Sequence, residues 1–457
     1  MKSLAFVAAL ILTLPNSARA DPINDRVTEY MRAGHVPGVA FAVVRNGKVE
    51  RLSTYGEANL EWPSAVTPDT RFQLASATKL FTAVALMRLV EAQKLKLDDT
   101  LDRFFPESPP AWRGITVAQL ANHTSGLAEN LPDHEDNVAA TVAAVMKTPL
   151  AYTSGSQSRY GFTDFIVLRA VMEKAAGKPL PDIFRDEIYL PAGLRDTGFS
   201  NEANWGPMRV WNPMQRRASV YLWKDGQQRA SAFLFGETGY AAGGLFSSAR
   251  DLAAFFAALD RGELLRPESI QALETPPVLA NGKVGEFGVG WVAKRYNGTE
   301  VVGHSGGPAL ADVLRVEDRK LTIIALSNQQ RFFPLFAESI ADFYLPVPAA
   351  PRAIRDRQPQ LTKLFSETLQ AAAAGKLDKQ KFGPEGQRDP YGFMSDFGQA
   401  MLVAVGTAQN VSLIREERNR GLLTRRYAVE FQRKRTYWQF AVDAQGKIED
   451  LHPVGEQ

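Results

Sequence analysis

The 457-residue sequence has no cysteine. That excludes disulfides, thiol nucleophiles, cysteine metal sites and a lipid-modified N-terminal cysteine. An excess of one charge is also missing: 53 Lys and Arg face 50 Asp and Glu, a formal net charge of +3. Nothing in that balance points to nucleic acid or to a strongly anionic partner. Histidines number five, and none has metal-ligand spacing such as H-E-x-x-H. His134-Glu135-Asp136 sits in a polar, loop-like stretch, so no metal and no cofactor are expected. No apolar run is long enough to span a bilayer.

The longest greasy stretch near the start, "LAFVAALILTL" (Leu4 to Leu14), follows Lys2 and precedes "ARA" (Ala18 to Ala20). A positive n-region, an apolar h-region and a small-x-small site read as a secretory leader over residues 1–20. The expectation is an exported protein, periplasmic or extracellular, beginning near Asp21. Zero cysteine is compatible with export when the core is large. With 45% hydrophobic residues, this chain can bury such a core and hold more than one domain.

Hairpin signals come first and last. "VPGVAFAVVRNGKVERLSTYGEA" alternates around Asn46-Gly47, "FGVGWVAKRYNGTEVVGHSGG" around Asn297-Gly298, and "ADVLRVEDRKLTIIALSN" turns near Asp318-Arg319. A helix over roughly Asp25 to Gly34 precedes the first, and a long, mostly helical region runs on to about Gln271. One antiparallel sheet made by both ends of the domain, flanked by helices and interrupted by a helical insertion, satisfies this order. The expected divisions are a first domain over 21–345, a Pro-rich linker over 346–360 and a small α+β domain over 361–457. Eight basic residues from Arg415 to Arg435 invite a binding-patch reading. Because Arg426 and Glu430 alternate with Tyr427, Val429 and Phe431, most of them read instead as the wet face of a sheet.

The stretch "QLASATKLFTAVALMRLVEAQKL" carries the only Ser-x-x-Lys, Ser76 to Lys79. Its bland reading is a capping serine and a lysine stretching to water. The chemical reading is a nucleophile with its base one turn on, on the same helix face. If Ser76 opens the helix, its backbone N–H is free to point at an oxyanion. Lys79 would sit beside Leu80, Phe81 and Val84, where desolvation lowers an amine from about 10.4 and frees it to accept a proton. Gly303-His304-Ser305-Gly306-Gly307 competes as a G-x-S-x-G nucleophile elbow. That elbow needs a helix after the serine and a later histidine, and here both flanks read as strand with only His452 following. In "NHTSGL", His123 and Ser125 are two apart and do not share a helix face, and Gly126 reads as a helix terminator, so both are taken as structural.

In order, Ser-x-x-Lys, "ITVAQLANHTSGL", the Tyr of "SGSQSRYGFTDF", "AAGGLFSSARDLAAF", "FGVGWV" and "GHSGG" resemble the penicillin-recognising serine hydrolases of the class C β-lactamase type. That group includes D-alanyl-D-alanine carboxypeptidases, family VIII esterases and D-aminopeptidases. The resemblance covers about Asp25 to Leu345. It implies a β-lactamase-like α+β fold, an antiparallel sheet flanked by helices with an all-helical subdomain and the site between them. It also implies Ser76 as acylated nucleophile, Lys79 as its base partner and Tyr160 as a phenol shuttling protons. His304, Ser305 and Gly306 would form the edge-strand triplet, and the N–H groups of Ser76 and Gly307 the oxyanion hole.

Two positions depart from that pattern. Phe162 stands where the second motif, Tyr-x-Asn, has an amide that holds the substrate, which favours an ester-like or amide substrate over efficient β-lactam turnover. His304 replaces the usual lysine, and a mostly neutral imidazole attracts a substrate carboxylate less. The expected activity is therefore that of an esterase-like or peptidase-like hydrolase on a small-molecule or peptide-like substrate. A catalytically weak, penicillin-binding-like module that holds cell-wall fragments is the alternative. The C-terminal domain could cover the cleft or mediate dimerisation.

Overall fold

The computed structural model describes residues 21–455 apart from 133–134, 206–207, 233–234, 308–309, 331–335 and 420. The proposed leader and His134 lie outside the described residues. Helix α1 (Pro22–Gly34) opens with the Asp21 carboxylate accepting the Ile23 N–H and closes at His35 in the left-handed region. Strands β1 (Gly38–Arg45) and β2 (Lys48–Asn59) then turn at Asn46-Gly47, both with positive φ, the tight turn that matches strand twist. A two-residue strand, β3 (Ser64–Ala65), follows. Late in the chain come β4 (Val292–Tyr296), β5 (Thr299–Gly306), β6 (Ala311–Val316) and β7 (Leu321–Ser327). Asn297-Gly298 makes the same positive-φ turn between β4 and β5.

Together these seven strands form one sheet in the order β4-β5-β6-β7-β1-β2-β3, with every pairing antiparallel. The join is β1 against β7, so both ends of the domain build a single sheet, as the hairpin order implies. β1 is buried on both faces and separates two apolar layers. Ala40, Ala42 and Val44 face the front, where α2 (Thr78–Glu91), α3 (Thr163–Ala176) and α4 (Ala249–Asp260) pack. Val39, Phe41 and Val43 face the back, onto α1 and α5 (Phe336–Ala341). Between the two sets of strands, the described elements as far as Ala192 are helical apart from a two-residue strand, Phe72–Gln73. The chain then makes short strands at Ala203–Trp205, Met208–Val210, Val220–Lys224 and Gln227–Ser231 before returning to helix.

After an irregular stretch, α6 (Pro359–Ala373) and α7 (Gln399–Val405) lead into β8 (Ala408–Asn419), β9 (Leu422–Phe431), β10 (Arg435–Val442) and β11 (Ile448–Val454). These last four make an antiparallel sheet of their own. Phe365, Tyr427, Trp438 and Phe440 share the apolar layer of the back face, so this unit sits behind the main sheet. Arg426 and Glu430 lie half-buried, alternating with buried Tyr427, Val429 and Phe431. Arg425 departs from the wet-face reading. It is fully buried and ion-paired to Asp356 and Glu416 at 3.1 and 2.6 Å. No helix among the described residues is long and apolar enough to cross a membrane.

Candidate active site

Ser76 does not open α2. It lies in a 3-10 turn, Ala75–Ala77, that leads into the helix. Ala75, just before it, has φ +44, an uncommon conformation for a residue with a side chain. The turn is held from outside: Leu74 N–H donates to Leu245 O at 2.9 Å, and Ala77 N–H to Leu74 O at 3.1 Å. Gly306 at the end of β5 presses on the same backbone. A Cβ there would stand 1.8 Å from Leu74 O, so only glycine lets this strand lie beside the serine.

Helix α2 is buried nearly all round in its first three turns, and its polar side chains there, Thr78, Lys79 and Thr82, find partners on one segment, 241–245. Thr82 Oγ1 donates to Ala241 O at 2.7 Å, Lys79 Nζ to Ala242 O at 2.8 Å, and Thr78 Oγ1 accepts Leu245 N–H at 3.1 Å. That explains a lysine in a greasy run. Lys79 is completely buried, and Nζ also bonds Tyr160 Oη at 2.8 Å. Among the described residues no carboxylate lies within ion-pair distance of it. Burial therefore pushes Lys79 down to about 7, with Glu129 and Asp164 farther off pulling weakly the other way.

Tyr160 Oη in turn donates to Ser76 Oγ at 2.8 Å. The serine and the lysine are thus joined through the phenol rather than directly, which modifies the side-by-side contact expected from their spacing. Burial raises Tyr160 above the ordinary phenol value, so it stays protonated near neutral pH. Its ring lies among His123, Phe287 and His304, with centroids 4.8, 5.7 and 5.9 Å away.

His304, Ser305 and Gly306 outrun β4, whose last pairing is Val292 with Gly303, so among the described residues no strand pairs with their outer side. They pair inward with Val313, Asp312 and Ala311. His304 donates from Nδ1 to Ser305 O at 2.7 Å, and burial pushes its imidazole down to about 3, so it is neutral. Ser305 alternates with it and shares the opposite face with Asp312, whose carboxylate accepts the Ala337 N–H of α5. With β6 following rather than a helix, the elbow reading of Ser305 has no structural support. Gly307 is exposed, and a Cβ there would meet nothing within 4 Å.

Phe162 precedes α3. Its N–H and that of Thr163 are both taken by Glu129, at 2.9 and 3.1 Å. Its ring stacks on Phe235 at 6.0 Å and covers Gly239. Two further residues beside this site carry no reading from the sequence, and a third, His123, reads there only as structural. Glu129 has no local signal at all. Asp164 carries the same signal as Lys79, an ionisable side chain inside an apolar helical run (Phe165, Ile166, Val167). His123, set aside as structural, is fully buried against Tyr160. Its short helix ends at Ala121 rather than at Gly126, and His123 itself takes φ +58.

Comparison with known sequences gives the family. The family profile described as Beta-lactamase matches residues 23–342. The chain belongs to the beta-lactamase family. This is a family of serine hydrolases. The family member is 27% identical over 297 residues to penicillin-binding protein 4* of Bacillus subtilis, covering 61% of this chain and 65% of that relative's length. It is 24% identical over 372 residues to a putative D-alanyl-D-alanine carboxypeptidase of Escherichia coli, with 69% and 83% covered. The octameric penicillin-binding protein homologue from Pyrococcus abyssi superposes with a TM-score of 0.59 at 19% identity. The alignment covers 95% of this chain and 98% of that one, so the fold similarity extends to the C-terminal unit.

Proposed function

We propose that this beta-lactamase-family chain is an exported serine hydrolase that cleaves an ester or amide through an acyl-Ser76 intermediate. The observation that carries the reading is the chain Ser76 Oγ, Tyr160 Oη, Lys79 Nζ, each link 2.8 Å long and ending on an amine with a value near 7. For attack the two hydroxyls turn, so that Ser76 Oγ donates to Tyr160 Oη and the phenol to neutral Lys79 Nζ; the serine proton then passes to Tyr160 while the phenol hands its own to Lys79. The Ser76 and Gly307 N–H groups receive the oxyanion. Collapse expels the leaving alkoxide or amine, which takes a proton back along the same chain, and water then releases the acid. Neutral His304 places no positive charge on the β5 edge, which favours a substrate without a carboxylate, and Phe162 supplies ring rather than amide, which favours an apolar, ester-like one.

Ser76→Ala should abolish covalent labelling by a fluorescent penicillin and the burst with p-nitrophenyl acetate. Ser305→Ala should retain substantial activity. Turnover surviving in Ser76→Ala would overturn the proposal. Labelling of the unaltered protein without turnover of any ester or amide would favour the weak binding module instead. Export is tested by N-terminal sequencing of the secreted protein, expected to begin at Asp21.

A further inference from the structure

Beneath Tyr160 lies a second set of buried polar groups that the acyl-transfer steps do not use. Asp164, in the first turn of α3, bonds His123 Nδ1 through Oδ2 at 2.9 Å and accepts the Ser125 hydroxyl on Oδ1. Ser125 Oγ in turn accepts Leu127 N–H at 3.0 Å, so its own proton is committed to Asp164. The Gly161 N–H, next to Tyr160, points at the same His123 Nδ1 from 3.4 Å.

The Gly161 N–H can only donate, and its direction favours His123 Nδ1 as the acceptor, with the ring proton on Nε2. A nitrogen that accepts cannot donate to Asp164, so in that tautomer the proton of the 2.9 Å contact is on the carboxyl. His304 gives the opposite case in the same site: its Nδ1 faces a carbonyl oxygen, which only accepts, and must itself carry the proton. His123 Nε2 has no hydrogen-bond partner among the described residues and is boxed in by the rings of Tyr160, Phe165 and Phe287.

We propose that Asp164 serves as a neutral carboxylic acid donating to His123, and that this pair positions Tyr160 while leaving Lys79 without a counter-ion. The inference rests on the acyl-Ser76 reading for its functional part. The groups facing Asp164 agree with it. Lys79 comes from α2, His123, Ser125 and Glu129 from the segment after the helix Val117–Ala121, and Tyr152 and Tyr160 from the approach to α3. Among the described residues, Lys79 in its protonated form is the cation that acts on Asp164. It lowers Asp164, as does the Ser125 hydrogen bond, but burial outweighs both and pushes Asp164 up to about 8. His123 is pushed down to about 3, by burial first and by Lys79 second. A carboxylate in this place would draw the proton onto Lys79, and an ammonium cannot take one from the phenol. The neutral acid keeps the hydrogen bonds and removes that charge.

Nitrogen-15 spectra of the unmutated, histidine-labelled protein test the assignment directly. His123 is expected as the Nε2–H tautomer and His304 as Nδ1–H. An Nδ1–H or doubly protonated His123 would overturn the proposal. Asp164→Asn keeps a neutral donor and acceptor in place. It should leave the Ser76 labelling rate little changed, with the acid limb of its pH profile near the unmutated position. Asp164→Leu, which cannot hold His123, should slow labelling by about 100-fold. An Asn variant as slow as Leu, or an acid limb moved to lower pH in Asn, would show that a charged carboxylate had been at work. The tautomer is read without activity, so loss of the Ser76 reading and loss of this one are separate results.

Discussion

Two buried lysines on opposite faces of the main sheet are in opposite situations. On the back, Lys434 from the C-terminal unit lies over the Tyr296 ring and bonds Glu338 of α5 at 2.5 Å, while Lys294 of β4 bonds the other carboxylate oxygen at 2.7 Å. Burial alone would raise Glu338, but the two cations outweigh it and hold the carboxyl down at about 2. On the front, Lys79 is given a carbonyl and a phenol and no anion. The difference teaches what separates a structural lysine from a reactive one in this fold. Both side chains are largely withdrawn from water, and what differs between them is the counter-ion. The paired set ties the C-terminal unit to the main sheet, whereas the unpaired amine is the group the proposed acyl transfer would use as its base.

The largest effect should come from removing the front lysine. Lys79→Met is expected to slow acylation of Ser76 by about 10³-fold, measured as the burst rate with an activated ester. The same change should stabilise the fold by about 1–4 kcal/mol in denaturant unfolding at pH 6, because a desolvated amine is exchanged for an apolar chain of similar size. The sign with pH follows from Lys79 lying near 7 folded against 10.5 unfolded. Between those values the unfolded chain binds the extra proton, so the parent gains stability as pH rises through that window. The advantage of Lys79→Met should accordingly be full below pH 7 and fade toward pH 10. In the parent, the acid limb of activity should fall near pH 7 as Lys79 becomes protonated. A stability gain independent of pH would sink the counter-ion argument.

Next in size is a paired cation. Arg315 of β6 is fully buried with Asp260 of α4 at 2.7 Å, also fully buried. Arg315→Met strands that carboxylate and should cost about 3–5 kcal/mol, with kcat of the folded fraction unchanged. Thermal unfolding and activity per folded molecule, measured together, separate the two. Smaller again is Glu338→Gln, which leaves Lys294 and Lys434 without their anion and should cost about 1–3 kcal/mol. Its signature is local: faster limited proteolysis between 346 and 358, where the chain crosses to the C-terminal unit without regular structure. Equal cleavage rates in parent and variant would mean the paired set does not hold the two units together.

The contrast also marks what could be read from the sequence. Asn46-Gly47 and Asn297-Gly298 are local turn signals, so the hairpins and the sheet joined from both ends were legible. Lys79 was legible because an ionisable residue inside an apolar run is anomalous by itself. Its contacts were not. The phenol it meets is 81 residues away and Ala242 O is 163 away, and a backbone carbonyl carries no sequence signal. Spacing suggested that Ser76 and Lys79 touch, but a long side chain goes to its best acceptors, and those came from other segments. Asp164 had the same anomaly as Lys79 and was missed beside the more familiar Ser-x-x-Lys. Glu129 acts on two backbone N–H groups more than 30 residues on, and composition cannot show that.

The smallest expected change sharpens the comparison from the substrate's side. Phe162 is the residue between Tyr160 and Asp164 whose ring, rather than an amide, borders the front site, stacked on Phe235 and lying across Gly239. Phe162→Asn replaces ring surface by a donor and an acceptor while the backbone N–H keeps its bond to Glu129. The catalytic chain through Tyr160 is untouched, so Ser76 should remain reactive. What should change is preference: labelling by a fluorescent penicillin rises by about tenfold and hydrolysis of long-chain p-nitrophenyl esters falls by a similar factor, each a little over 1 kcal/mol of differential binding. Opposite movements in the two rates locate selectivity at residue 162. If both rates fell together, the ring would instead be supporting the reactive geometry, and the two faces of the sheet would differ by more than the presence of a counter-ion.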